Sequence, residues 1–384
     1  MSAARITGAA LLLVATPAAA APLDFSATVD AHVGYAINPR LESDNDQGTG
    51  YGGITIAPVL SKTTSVSQTT LGATYSREQY FSKFGDTQSV SANFNHNQTF
   101  SEYLRGGVTA AYSRSNNLLL NGNDVAQVEN YSLGGTTSTI TGGANLAWQA
   151  TAKDSFTADG TYIHQRTHYS QTESTFDEYI ADVGYLHALN ARTKIGLRTN
   201  VTFYNSPFAG NPIGYGGTNS RTIGPAFAIQ QVLSPAWNLD ADVGVLFQHT
   251  GGIVSHDSTG LGFHVSLCGT HPRSTVCFTA ARQSSGTSFG GLRQQLSFGV
   301  TYTYRMTELS TLTLAGTYSK NSDPVLNLAG LSESNIFQGN IDYNRKLSTR
   351  WSVGVEARGG YLTRQAFGSA HSVEGSAYLR VKIG

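Results

Sequence analysis

Beyond its first twenty or so residues the chain separates apolar from polar side chains at every second position. It nowhere gathers the roughly eighteen or more apolar residues that a membrane-crossing helix needs. In the last such segment Val373, Gly375, Ala377, Leu379, Val381 and Ile383 form one set; Ser372, Glu374, Ser376, Tyr378, Arg380 and Lys382 form the other. Trp351, Val353, Val355, Ala357 and Gly359 alternate with Ser352, Gly354, Glu356 and Arg358 in the same way. So do Ile195, Leu197, Val201 and Phe203 with Lys194, Arg198, Asn200 and Thr202, and Leu239, Ala241, Val243, Val245 and Phe247 with Asp240, Asp242 and Gln248. Near the start Phe25, Ala27, Val29, Ala31, Val33 and Tyr35 oppose Ser26, Thr28, Asp30 and His32. Period two belongs to a strand with two unlike faces, and a strand between lipid and a polar lumen must show it.

Composition decides between a soluble sheet and a membrane one. Charged residues make up 13% of the chain, about half the share usual in soluble domains, roughly 25%. The 25 Lys and Arg balance the 25 Asp and Glu, so no basic footprint for nucleic acid exists. The N-terminus reads as an export signal: Arg5, an apolar run over residues 6–15, then the small residues Ala18, Ala19 and Ala20. The expected division is a signal peptide over 1–20 and a barrel over 21–384. Cleavage after Ala21 is the second choice, because it would leave Pro22 first.

Connections alternate as the strands do. Short turns are expected near 61–65, 99–102, 151–154, 189–192, 233–236, 269–275, 305–308 and 346–350, with longer polar loops between them, for example 38–50, 115–130, 205–219 and 320–334. Eight turns and nine loops give an antiparallel transmembrane β-barrel of about eighteen strands, with short periplasmic turns, longer extracellular loops and both termini on the turn side. Trp148, Trp237 and Trp351 all fall at outward positions beside a short turn, where an indole ring can lie in acyl chains and its N–H among headgroups, as an aromatic girdle does. Tyr112, Phe247, Phe337 and Tyr361 could serve the opposite rim. Pro58 and Pro225 fall inside expected strands, where each removes a ladder hydrogen bond, and bulges are the expected remedy.

The turns repeat weakly. Val232-Leu233-Ser234-Pro235-Ala236-Trp237, Lys346-Leu347-Ser348-Thr349-Arg350-Trp351 and Ala188-Leu189-Asn190-Ala191-Arg192-Thr193 each place a Ser or Asn able to cap its own turn before an outward-facing strand. In this style, above all at Leu233-Ser234-Pro235-Ala236-Trp237, the whole chain after the leader resembles the porin-2 group of outer-membrane β-barrels. The resemblance implies a barrel in the bacterial outer membrane and names no substrate. For outer-membrane barrels generally it implies a last strand ending in an aromatic residue, read by the barrel assembly machinery. Here the chain ends Val381-Lys382-Ile383-Gly384, with Tyr378 the nearest aromatic. The partners to expect are outer-membrane lipid and lipopolysaccharide, the assembly machinery and further copies in a homo-oligomer, although no outward polar patch requires one.

Motifs for chemistry are weak. Gly286-Thr287-Ser288-Phe289-Gly290 matches G-x-S-x-G but lies in a loop between strands, not on a strand-to-helix elbow. Gly48-Thr49-Gly50-Tyr51-Gly52-Gly53 matches G-x-G-x-x-G but opens a strand. His164 and His168 would stand about 13 Å apart along a strand, too far to share a metal. His249, His256 and Asp257 imitate a protease's base and acid without a second acidic pair, and Glu42, Asp44 and Asp46 lack the final glutamate of a calcium loop. No catalytic residue, metal site or cofactor is expected, and the chain does not read as an enzyme.

Parity leaves the lumen as the place to look. Inward basic candidates are Arg105, Lys194, Arg198, Arg305, Arg358, Arg380 and Lys382; inward acidic ones are Asp24, Asp30, Asp159, Glu178, Asp182, Asp240, Asp242, Asp342, Glu356 and Glu374. Both signs occur, without the wall of arginine that an exporter of acidic polysaccharide would show. Inward aromatics read as sparse, Tyr378 being the clearest. Parity also turns Cys268 and Cys277 to one face across a short turn, so a disulfide is expected in an oxidising compartment. The leading expectation is a porin for passive diffusion of small hydrophilic solutes, narrowed by several inward-folding loops. The alternative is a component of polysaccharide or cell-envelope export acting with periplasmic partners; an outer-membrane enzyme, adhesin or structural barrel comes third.

Overall fold

A computed structural model describes residues 22–41, 47–82, 84–116, 135–168, 173–206, 218–251, 255–286, 292–322, 333–364 and 368–384. The signal peptide at 1–20, the acidic loop residues Glu42, Asp44 and Asp46, and Ser288 lie outside the described residues. Eighteen strands follow in chain order: β1 (Leu23–Ile37), β2 (Gly48–Thr63), β3 (Ser67–Tyr80), β4 (Asp86–Thr99), β5 (Leu104–Ser115), β6 (Thr136–Gln149), β7 (Asp154–His168), β8 (Glu173–Ala188) and β9 (Thr193–Ser206), then β10 (Thr218–Ser234), β11 (Trp237–Gly251), β12 (His256–Thr270), β13 (Ser274–Gly286), β14 (Leu292–Arg305), β15 (Ser310–Ser322), β16 (Glu333–Lys346), β17 (Trp351–Arg364) and β18 (Gly368–Ile383). Each pairs antiparallel with its sequence neighbours, and β1 also pairs with β18, so the sheet closes on itself without an edge.

The turns form because their first polar residue satisfies the backbone that follows. Asn190 Oδ1 accepts from the N–H groups of Arg192 (2.8 Å) and Thr193 (2.9 Å), and Ser348 Oγ from those of Arg350 (3.2 Å) and Trp351 (3.1 Å). Thr64, Ser101, Thr151, Ser234 and Thr307 do the same at their own turns. All eight short connections fall where the sequence places them.

Strands run from 12 residues in β5 to 17 in β10, more than the roughly nine to eleven that cross the hydrocarbon when tilted. The outer face carries the apolar set: Val33, Tyr35, Leu197, Phe203, Val243, Phe247, Val355 and Val373 are each about half exposed or more in the isolated chain. Near the turns, Trp148 stacks on Phe156 (centroids 5.5 Å) and Phe156 meets Tyr185 (5.0 Å), a continuous aromatic row across β6, β7 and β8. The indole of Trp237 lies over Gly269, where a Cβ would come within 2.9 Å of three of its ring atoms; Trp351 is exposed on the same rim.

The prolines are accommodated differently from expectation. Pro58 stays in the ladder with Ala27 on β1, while the β2–β3 ladder skips from Ile56↔Tyr75 to Val59↔Gly72 with its register unchanged. Pro225 stays opposite Thr199, and the β10–β11 ladder skips from Ile223↔Phe247 to Ala226↔Gly244, again in register. No residue is inserted, so neither site is a bulge. Each missing N–H faces one neighbour only, and the pairing lapses on that flank alone. The register shift that does occur lies at Val232/Ser234, beside the turn.

Candidate functional site: the lumen and its constriction

Register sets which side chains meet inside. On the β9–β12 wall the Arg198 guanidinium holds Asp240 through two bonds (2.7 and 3.0 Å) and Asp242 through a third (3.2 Å); Gln230 donates to Asp240 (2.6 Å) and His264 stands 3.9 Å from Asp242. Beside it Asn200 donates to Asp182 (2.8 Å). On the wall where the barrel closes, Arg380 grips Asp30 (2.8 and 3.0 Å) and lies over the ring of Tyr378, whose hydroxyl donates to Asp342 (2.9 Å). Arg358 grips Glu356 (2.6 and 2.8 Å), and the register sets Arg358 opposite Glu374 on β18. The network reaches His32, between Asp30 (3.8 Å) and Glu78 (3.6 Å).

Of the sequence candidates, the structure thus gathers Arg198, Asp240 and Asp242 into one group and Glu356, Arg358, Glu374 and Arg380 onto adjoining strands. Arg105, Lys194 and Arg305 face inward at the turn-side ends of β5, β9 and β14 and have no ion pair among the described residues. Asp240, Asp242 and His264 bring their ligand atoms within 4.8 Å of one another. The guanidinium of Arg198 already supplies the positive charge there, and His264 is exposed. His164 and His168 face outward, bonded to Asp177 (2.9 Å) and near Glu173 (3.9 Å) respectively, so they share no ligand site. His249 and Asp257 pair (2.5 Å) on the outer face of the loop-side rim, as a single imidazole and a single exposed carboxylate.

Inward aromatics are not sparse. Tyr51 and Tyr80 meet with tilted rings at 5.6 Å and pack with Ala36 and Phe84 on one wall; Phe176 and Tyr204 meet at 5.2 Å and pack with Leu292 and Ile163 on another. Both groups belong to the loop-side half, where the inner face carries buried apolar residues. A signal existed: Tyr204 follows the outward Phe203, and Phe176 shares the parity of Glu178.

Leu292 reaches that inner wall because the β13–β14 hairpin leaves the barrel surface. The β12–β13 ladder ends at Phe263↔Arg282 after eight residue pairs, although both strands continue. Other seams carry eleven or more pairs. Beyond that point β13 and β14 remain paired to each other up to Gly286↔Leu292 and bend inward together. Gln248 on β11 receives them, its amide donating to the Leu292 carbonyl (2.9 Å) and its oxygen accepting from Ser284 Oγ (3.3 Å). Two glycines permit the approach. A Cβ on Gly286 would stand 2.8 Å from the Tyr204 ring, and one on Gly260 would stand 3.2 Å from the Gln294 amide. Among the described residues this hairpin narrows the loop-side interior, while most of the residues of the longer loops expected to fold inward lie outside the described residues.

Below the constriction the turn-side half is lined by half-exposed polar side chains, among them Asn95, Asn145, Asp240 and Asn340. A closed sheet that turns apolar residues to lipid on every side and paired charges to its interior is an outer-membrane β-barrel of bacterial type. At the coarse level its fold is that of solved outer-membrane transport barrels. The FrpB iron transporter of Neisseria meningitidis aligns over 93% of this chain and 81% of its own with TM-score 0.51 and 7% identity. The ferric-catecholate import receptor Fiu of Escherichia coli K12 aligns over 95% and 82% (TM-score 0.48, 7% identity), and the alcaligin outer-membrane receptor FauA of Bordetella pertussis over 94% and 76% (TM-score 0.43, 11% identity). At such identities the likeness concerns barrel architecture. No protein-family model matches the chain and no curated protein matches it in sequence, so the resemblance to the porin-2 group narrows to membership of the outer-membrane barrels at large.

Proposed function

We propose that this barrel is a channel for passive diffusion of small hydrophilic solutes, delivered by the signal peptide at 1–20 and narrowed on its extracellular side by the inward β13–β14 hairpin. The observation that carries this reading is the contrast between the two halves of the interior. The turn-side half is polar, with charges of both signs balanced in pairs such as Arg198 with Asp240 and Asp242, whereas the described inner face of the loop-side half carries packed aromatic and aliphatic side chains on two walls. Such a lumen admits water and small solutes from the periplasm and filters them at one level. Purified protein in planar bilayers should show small, stepwise, ohmic currents. Replacing 284–293 by a two-glycine turn should raise the unit conductance several-fold. Folded barrels that insert and conduct in neither form would end the diffusion reading.

Export of a cell-envelope polysaccharide with periplasmic partners is the second reading. Concentration-dependent block of the current by neutral oligosaccharides would support this reading over the first.

A further inference from the structure

The β12–β13 seam separates within the membrane's outer half. Its eight pairs rise about 27 Å along the strand at roughly 3.4 Å per residue, or about 21 Å along the barrel axis at a tilt near 40°, against an apolar band of roughly 25 Å. Above Phe263↔Arg282 the two strands diverge, leaving backbone groups of β12 on that flank without a ladder partner. Such backbone is tolerated in a membrane only where it is buried in protein or lines a water-filled cavity.

Residues at the separation have amphipathic chemistry. On the lipid side Leu261 is exposed and Phe263 lies at the last rung. Arg282, outward by parity, turns instead along the separation: its guanidinium donates to the Gln294 amide oxygen (2.7 Å) and lies 3.7 Å from where a Cβ of Gly260 would stand. Its partner is a neutral amide, unlike Arg198, Arg358 and Arg380, whose partners are carboxylates. Two residues further along β12, Ser258 Oγ is buried without a hydrogen-bond partner. A cation held by a neutral group and an unpartnered hydroxyl border the inner mouth, and apolar side chains border the outer one.

We propose that the β12–β13 separation is a lateral opening to the outer leaflet that binds a single-chain amphiphile with an anionic head. The head accepts from Arg282 and Ser258, and the tail runs out past Leu261 and Phe263 into the acyl region. The opening is independent of which hydrophilic solute the lumen passes.

The test uses alkyne-tagged dodecanoate dissolved in the bilayer of reconstituted vesicles, with a photo-crosslinking residue at Ser258 or at Asn95, an inward position on the opposite wall. Labelling is expected at Ser258 at least tenfold above Asn95. It should fall about tenfold with Arg282→Gln, be retained with Arg282→Lys, and fall similarly when the probe is tagged dodecanol. Heat-modifiable migration on gels confirms that each variant is folded. Equal labelling at the two positions would mean entry through the aqueous lumen. Absent labelling at Ser258, or labelling indifferent to Arg282→Gln, would mean that no anion site lies at the seam; each of these results overturns the proposal. Conductance in planar bilayers, measured separately, reports on the diffusion channel whichever way this test falls.

Discussion

Cys268 and Cys277 are bonded across the third rung from the turn of the β12–β13 seam, nine residues apart in sequence. Five further rungs, from Leu267↔Phe278 to Phe263↔Arg282, separate the bond from the point where the strands part. Closing a loop of that length removes about 8.7 cal/mol/K of chain entropy from the unfolded ensemble, or about 2.6 kcal/mol at 25 °C, equivalent to a folding equilibrium shifted roughly eighty-fold. The double variant Cys268→Ser with Cys277→Ser should therefore lose about 2.6 kcal/mol in reversible denaturant unfolding from micelles, with the slope nearly unchanged. Because this seam has the shortest ladder, the loss should also be local. Backbone amides over 263–267 and 278–282 should exchange with deuterium faster than in the parent, while those of β5 and β6 keep their rates. Coincident unfolding curves, or faster exchange spread evenly round the barrel, would refute the assignment of the bond as a staple on the shortest seam.

Three other outcomes follow from the geometry. Asp240→Asn with Asp242→Asn frees the guanidinium of Arg198 and should move the zero-current potential in a salt gradient toward anion preference; an unmoved potential would remove this cluster from the conducting path. Gly34→Ala places a Cβ 2.3 Å from the Gly375 carbonyl oxygen and 2.8 Å from the Tyr51 ring, and should cost about 1–3 kcal/mol by overpacking, read as a lower gel-melting temperature, whereas Gly160→Ala, with nothing within 4 Å, should leave it unchanged. An epitope inserted in 205–219 should be stained on intact cells and one in 346–350 only after permeabilisation; the reverse pattern would invert the topology.

Legibility in the sequence tracked how local the cause was. Strand number and the eight turns could be read because one residue, such as Asn190 or Ser348, caps its own turn and because side chains alternate wherever lipid lies on one face and water on the other. Alternation stopped informing where the interior itself becomes apolar. At Tyr204 an aromatic neighbour, Phe203, faces outward, and at Phe176 the outward neighbours are the polar Thr175 and Asp177, so aromatics that line the lumen blended with those that face lipid. The bend of β13 and β14 was hidden for a different reason. It depends on Gln248, Gly260 and Tyr204, which lie outside the hairpin in sequence and meet it only in the closed barrel. Pro58 and Pro225 were visible as anomalies. Their remedy was not, because whether a ladder bulges or lapses depends on which neighbouring strand the missing donor faces.

The ion pair between Asp30 and Arg380 spans 350 residues of sequence, and the β1–β18 ladder around it is the last that the emerging chain can form. Until it forms, β1 and the strand most recently added are both bare edges, each a template for any other strand nearby. Completion is therefore a discrete event. A chain stopped one strand early retains two sticky borders, and nothing in its sixteen remaining ladders can hide them.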